Sequence, residues 1–272
     1  EEVWVPYDVV DNESCAKCHE WFEGHGGNRV YDIAICTLCH VPNQSSSGRT
    51  VTDPSARDLD DDLRAAILDG TLDSRVDPDD PLTYPEDAQN LKDMIHGIHA
   101  SAFRTRPYQH VRGPGRQGYY DWSHVTFPRG ASTSDCMLCH KAGTYRLPIA
   151  YGLEGLLPTT VRTTAESDGQ DDPPIYSEPD DPGFPFSSGG VEDAFQNVPN
   201  GTDWVNTPTA SSCFYCHTSA DAMAHMMQNG ALLSWPDYGP WTSRDDLGTT
   251  FESCSVCHGP GKSADLDVVH NR

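Results

Sequence analysis

All ten cysteines of this 272-residue chain fall in one repeated five-residue frame. Frame I is Cys15-Ala-Lys-Cys18-His19 and frame II is Cys36-Thr-Leu-Cys39-His40. Frame III is Cys136-Met-Leu-Cys139-His140, frame IV is Cys213-Phe-Tyr-Cys216-His217, and frame V is Cys254-Ser-Val-Cys257-His258. CxxCH is the attachment pattern of c-type haem. Two thiols three positions apart reach the vinyl groups of one haem, and the adjacent His falls under the iron as its proximal ligand. Other uses of CxxC fit poorly. A zinc knuckle takes two CxxC pairs per site, so five pairs leave one over, and zinc asks for no His after every second Cys. A thioredoxin-like dithiol does not recur five times, and a disulfide framework shows no such repeat. The sequence therefore implies five haem c.

Composition agrees with that cofactor load. Apolar residues make up 36% of the chain, with 23 Gly and 21 Pro, which is poor in core-forming residues for a globular domain. Five haems supply the missing apolar mass. The expected fold is mostly coil with short α-helices wrapped around covalently bound haems, with little β-structure beyond a small hairpin. Residues 1–272 are expected to form a single pentahaem c-type cytochrome module. Forty-one Asp and Glu against 18 Lys and Arg give a formal charge of −23, which disfavours nucleic acid and anionic lipid surfaces as partners. No stretch approaches 18 consecutive apolar residues, so no membrane insertion is expected. The opening Glu1-Glu2-Val3-Trp4 reads as a chain whose export signal has been removed. Since c-type cytochromes are assembled outside the cytoplasm, the expected location is extracellular or cell-surface, with the periplasm as the alternative. All ten Cys are used by haem, so no lipid anchor of its own is expected.

Twelve His are present. Five are proximal, leaving His25, His96, His99, His110, His124, His225 and His270. Five six-coordinate irons need five of these seven, and low-spin bis-His iron has no position for a substrate. His25 is six residues past His19, too close to round the same porphyrin edge, and is expected to serve a neighbouring haem. Leu91, Met94, Ile95 and Ile98 recur at helical spacing. That helix carries His96 and His99 at i and i+3, pointing the same way to two adjacent haems. His225 falls in a second short helix, Ser219 to Asn229, with Gly230 as its C′ residue. His270 lies near the end of the chain. Judged alone, it and His225 would be read as surface residues, but the ligand count asks for both.

Several segments resemble the OmcA/MtrC outer-membrane multihaem cytochromes. Cys15 through Arg29 followed by Cys36 through Pro42 is similar to that family's first haem pair. Met94-Ile-His-Gly-Ile-His99 is similar to its shared double-His helix. Val125-Thr-Phe-Pro128 resembles the lead into its third motif, and Ala224-His225-Met226 and Val268-Val269-His270 resemble its last distal-ligand segments. The resemblance covers roughly residues 10 to 272. It implies His25, His96, His99, His225 and His270 as distal ligands, closely packed haems, and electron exchange with other c-type cytochromes or extracellular acceptors. The family usually carries β-rich domains beside two pentahaem modules; this chain is expected to hold one module without such a flank.

The frames are unevenly spaced, with 95 residues between His40 and Cys136, 72 between His140 and Cys213, and 36 between His217 and Cys254. The longer intervals hold acidic, Pro-rich stretches at Asp58–Asp62, Asp77–Pro81 and Asp168–Pro185, read as solvated loops in which calcium would be the less expected occupant. Asp58 to Asp69 reads as a short helix ended by Gly70. Tyr and Trp are expected to pack haem edges. The Arg104–Arg116 loop around His110 gathers scarce positive charge, either to contact haem propionates or an acidic partner or simply as an exposed loop. Electron transfer without bond chemistry is the expected function. The alternative is a multihaem reductase of nitrite or a sulfur oxyanion with one open haem. The pentahaem nitrite reductases usually mark that haem with Lys in place of the motif's His, and none of the five frames does. Haem sites near both chain ends also suggest a head-to-tail homopolymeric filament, with His110 or His124 ligating across subunits.

Overall fold

The computed structural model describes residues 9–46, 87–148, 158–162, 201–234 and 242–270, except positions 21–22, 26, 28, 31, 43, 113–117, 129–130, 202 and 249 within them. The acidic stretches and the Asp58–Asp69 helix expected from the sequence lie outside the described residues.

Short helices and coil dominate. Helices α1 (Asn12–Ala16) and α2 (Ile33–Thr37) open frames I and II. The two-residue strands β1 (Glu23–Gly24) and β2 (Arg29–Val30) pair antiparallel between them. Helix α3 is Leu91–His99, spanning the whole apolar periodicity of Leu91, Met94, Ile95 and Ile98, and Asn90 caps it, accepting from the Asp93 backbone N–H. Strands β3 (Gln109–Arg112) and β4 (Gly118–Asp121) form a hairpin-like pair. Strands β5 (Thr159–Arg162) and β6 (Trp204–Asn206) form another, with an irregular register between Thr160 and Arg162. Helix α4 (Pro208–Phe214) leads into frame IV with Pro in its first turn. Helix α5 (Ala220–Gln228) is capped by Ser219. Beyond it Gly230 takes φ +93, and a Cβ there would lie 2.1 Å from the Phe251 carbonyl oxygen, so the C′ position requires glycine. Helices α6 (Ser255–His258) and α7 (Leu266–His270) close the described chain.

Among the described residues one apolar cluster forms the core. Ala88, Tyr108, Ala210, Phe214, Tyr215, Met226, Ala231 and Leu233 form it, drawn from α4, α5 and the segments flanking α3. Helices α1 and α2 contribute no buried residue. Around frame I and II, order comes from hydrogen bonds: Asp32 caps α2 at the Ala34 N–H, and Asn12 Oδ1 accepts from the Ile33 N–H at 2.8 Å.

Candidate haem centres

Each frame folds into the same helical turn. The His N–H donates to the carbonyl of the first Cys in all five, at 2.9 Å in frames I, II and V and 2.8 Å in frames III and IV. That turn puts the two thiols, at i and i+3, on one face with the imidazole beside them. Burial raises the thiols of frame IV most, Cys213 to about 12 and Cys216 to about 11. A redox dithiol needs a lowered thiol instead. Among the described residues all ten Cys are free of disulfides and no three His, Cys, Asp or Glu converge as a metal cluster, so the zinc-knuckle arrangement is absent there.

The imidazoles pair one to one. His19 faces His99 with ring centroids 6.0 Å apart, His40 faces His25 at 6.1 Å, and His140 faces His96 at 6.0 Å. His217 faces His270 and His258 faces His225, both at 6.1 Å. Each pair joins one frame His to one of the five His expected to be distal. Two imidazoles bound to one metal ion at about 2 Å per bond have centroids about 6 Å apart once the ring radii are added. The residues therefore fit an iron between each pair.

Hydrogen bonding at the far side of the rings supports the same geometry. His40 Nδ1 lies 2.6 Å from the Gln89 carbonyl, His99 Nδ1 2.9 Å from Ile95, and His258 Nδ1 3.0 Å from Ala264. Donation from Nδ1 leaves Nε2 as the metal-facing lone pair and raises its basicity. Burial lowers His96 to about 3, and burial likewise lowers His140, His217 and His270. These rings are thus held in the neutral form that ligates metal. His25 sits at φ +53, the left-handed region, in the β1–β2 connection. Such a conformation in a non-glycine residue is a mark of a functional constraint.

Apolar surface also lies where haem would cover it. Ile35, Leu38, Met137 and Val256 sit in or directly beside frames II, III and V, and Met227, Val268 and Val269 beside His225 and His270; all seven are exposed.

The frames follow one another in space differently from the sequence. Cys15 lies within electrostatic reach of Cys36 and of Cys139, and Cys139 of Cys18. Cys216 is within reach of Cys136, and Cys213 of Cys254. The spatial order is II–I–III–IV–V. Residues 9–11 tie frame I to frame III: the Lys141 N–H donates to the Val9 carbonyl and the Lys141 ammonium meets Asp11 at 2.9 Å. Glu252 joins IV to V by accepting from the Thr209 and Ala210 N–H groups of α4, 2.7 Å each.

His110 and the basic loop differ from expectation. Arg104, Arg106 and His110 are buried, and the Gln89 amide nitrogen lies 2.8 Å from His110 Nε2. The first part of the loop is therefore interior, and His110 is not at the surface for ligation across a subunit boundary. His124 is exposed. Sequence reasoning missed Asn12 and Asp32 because a lone polar residue carries no periodic signal.

Repeated CxxCH turns, each facing a second imidazole across an iron-sized gap, define a multihaem c-type cytochrome. The chain belongs to the outer membrane cytochrome family described as MtrC/MtrF-like, domains II/IV, which it matches over residues 7–271. No curated protein and no solved structure matches it. The family makes it an exported, cell-surface electron-transfer cytochrome, in agreement with the resemblance seen in the sequence. Among the described residues no helix is long and apolar enough to cross a membrane.

Proposed function

We propose that residues 1–272 form one pentahaem module that holds five bis-His haem c and passes electrons between other c-type cytochromes and extracellular acceptors, with no bond chemistry. The observation that carries this reading is the set of five His–His pairs, each joining a frame His to one other. His19/His99, His40/His25, His140/His96, His217/His270 and His258/His225 hold the irons, and the ten frame cysteines hold the porphyrins. Haem iron supplies a reversible one-electron couple. The protein's part is to fill both axial positions and fix the neighbours. Helix α3 brings two distal ligands, for I and III, on one rigid element. Frames IV and V are clasped reciprocally, since the distal His of each follows the frame of the other. The haem order supported by the frame contacts is II–I–III–IV–V.

Film voltammetry tests the function. The expected result is a reversible envelope integrating to five electrons and unchanged by nitrite or sulfite. A catalytic current with either anion overturns it in favour of a reductase. Frames II and V end the order, as head-to-tail assembly into a filament requires. Sedimentation of native material as a single monomer, with no fibres in micrographs, removes that assembly.

A further inference from the structure

Arg104 stands between helix α3 and frame IV. Its guanidinium lies over the rings of Tyr108 and Tyr215, 5.7 and 5.4 Å from their centroids. Nη1 donates to the Tyr215 carbonyl, inside frame IV, and Nε donates to the Arg106 carbonyl at 2.9 Å. On the other side it rests on α3 at Gly97, between His96 and His99; a Cβ there would be 3.2 Å from Arg104 Nη1 and 2.7 Å from Tyr108 Cδ2. Nη2 is buried with no hydrogen-bond partner among the described residues. Arginine cannot shed its proton, so this is a permanent, nearly dry positive charge.

Ionised side chains of both signs act near frame IV, Arg104 on Cys216 and both Glu252 and Lys92 on Cys213, and of these Arg104 is the buried cation hydrogen-bonded to the frame itself. Asp87 pairs with Arg106 at 3.4 Å and Asp93 with Lys92 at 3.5 Å. Frame IV is also the most deeply embedded, following the buried Ala210, Ser211 and Phe214 of α4. A ferric haem carries one more positive charge than a ferrous one, so low dielectric and a nearby cation both favour the reduced form.

We infer that Arg104 is a positioning and potential-setting residue for the frame IV haem, making it the most readily reduced of the five and the resting place for electrons within the module. The inference rests on the His217–His270 ligation proposed above. The test is a redox titration of the five-haem protein followed by electron paramagnetic resonance. H270A first identifies the frame IV signal as the low-spin feature that it abolishes; an unchanged low-spin count in H270A would defeat the ligation itself. In the native protein the assigned ferric signal is expected to vanish first on reduction. If another signal vanishes before it, the inference is wrong and the ligation stands. R104Q is expected to move that signal to more negative potential with the other four in place, while R104K, which keeps the charge, restores most of the shift. Equal shifts in both variants would reduce Arg104 to a structural brace and overturn its potential-setting role.

Discussion

Frames I and II and frame IV perform the same chemistry on opposite kinds of support. Helices α1 and α2 bury no side chain, and their order rests on Asn12, Asp32 and a two-residue strand pair. Frame IV grows out of a helix whose Ala210, Ser211 and Phe214 are buried, and Tyr215 between its cysteines is part of the core. A c-type frame therefore needs only a helical turn and a facing imidazole. Where a core exists the frame joins it. Elsewhere, in the proposed reading, the haem is the core, which is how a chain with so few apolar residues folds at all.

The largest expected effect breaks this comparison directly. Removing the frame II attachment with C36A/C39A should abolish amide protection over residues 29–46. The matching C213A/C216A pair should leave Tyr108 and Leu233 partly protected. Hydrogen exchange with mass spectrometry reads both, and equal losses at the two ends would refute the contrast. Next come the ligands: H25A should turn one iron, that of frame II, high-spin, and H99A the iron of frame I. Resonance spectra counted against total haem check the pairing.

A smaller effect carries an unusual sign. Gly to Ala inside a helix ordinarily gains about 1 kcal/mol. At Gly97 the new methyl would meet the Tyr108 ring, so G97A should instead cost about 1–3 kcal/mol by overpacking, seen as a lower melting temperature in circular dichroism. Smallest is D32A, which removes the α2 cap and its link to Asn12 for about 1 kcal/mol. Its loss should be confined to frame II in exchange measurements.

Much of the site could be read from the sequence because covalent attachment fixes residue types at rigid spacing. The frames need no tertiary information, and the α3 pair follows from helical period. His25 could be steered to a neighbouring haem by chain length alone. Pairing the rest could not be read, because which imidazole crosses to which frame is decided by tertiary contacts. The reciprocal clasp of IV and V depends on Glu252 and Gly230, neither of which stands out in a linear reading. The basic loop misled because charge usually marks surface. Arg104 and Arg106 are instead drawn inside by Tyr108, Tyr215 and Asp87.

Electron paramagnetic resonance of the as-isolated ferric protein, quantified against total haem, tests the central claim most directly. The account predicts five low-spin irons and no high-spin signal. It further predicts that they divide by ligand-plane angle: His19/His99 and His225/His258, at 89° and 80°, should give strongly anisotropic signals. His96/His140 and His25/His40, at 24° and 32°, should give ordinary rhombic ones. A high-spin signal amounting to one haem in five would mean an unfilled axial position and would contradict the reading of five bis-His haems.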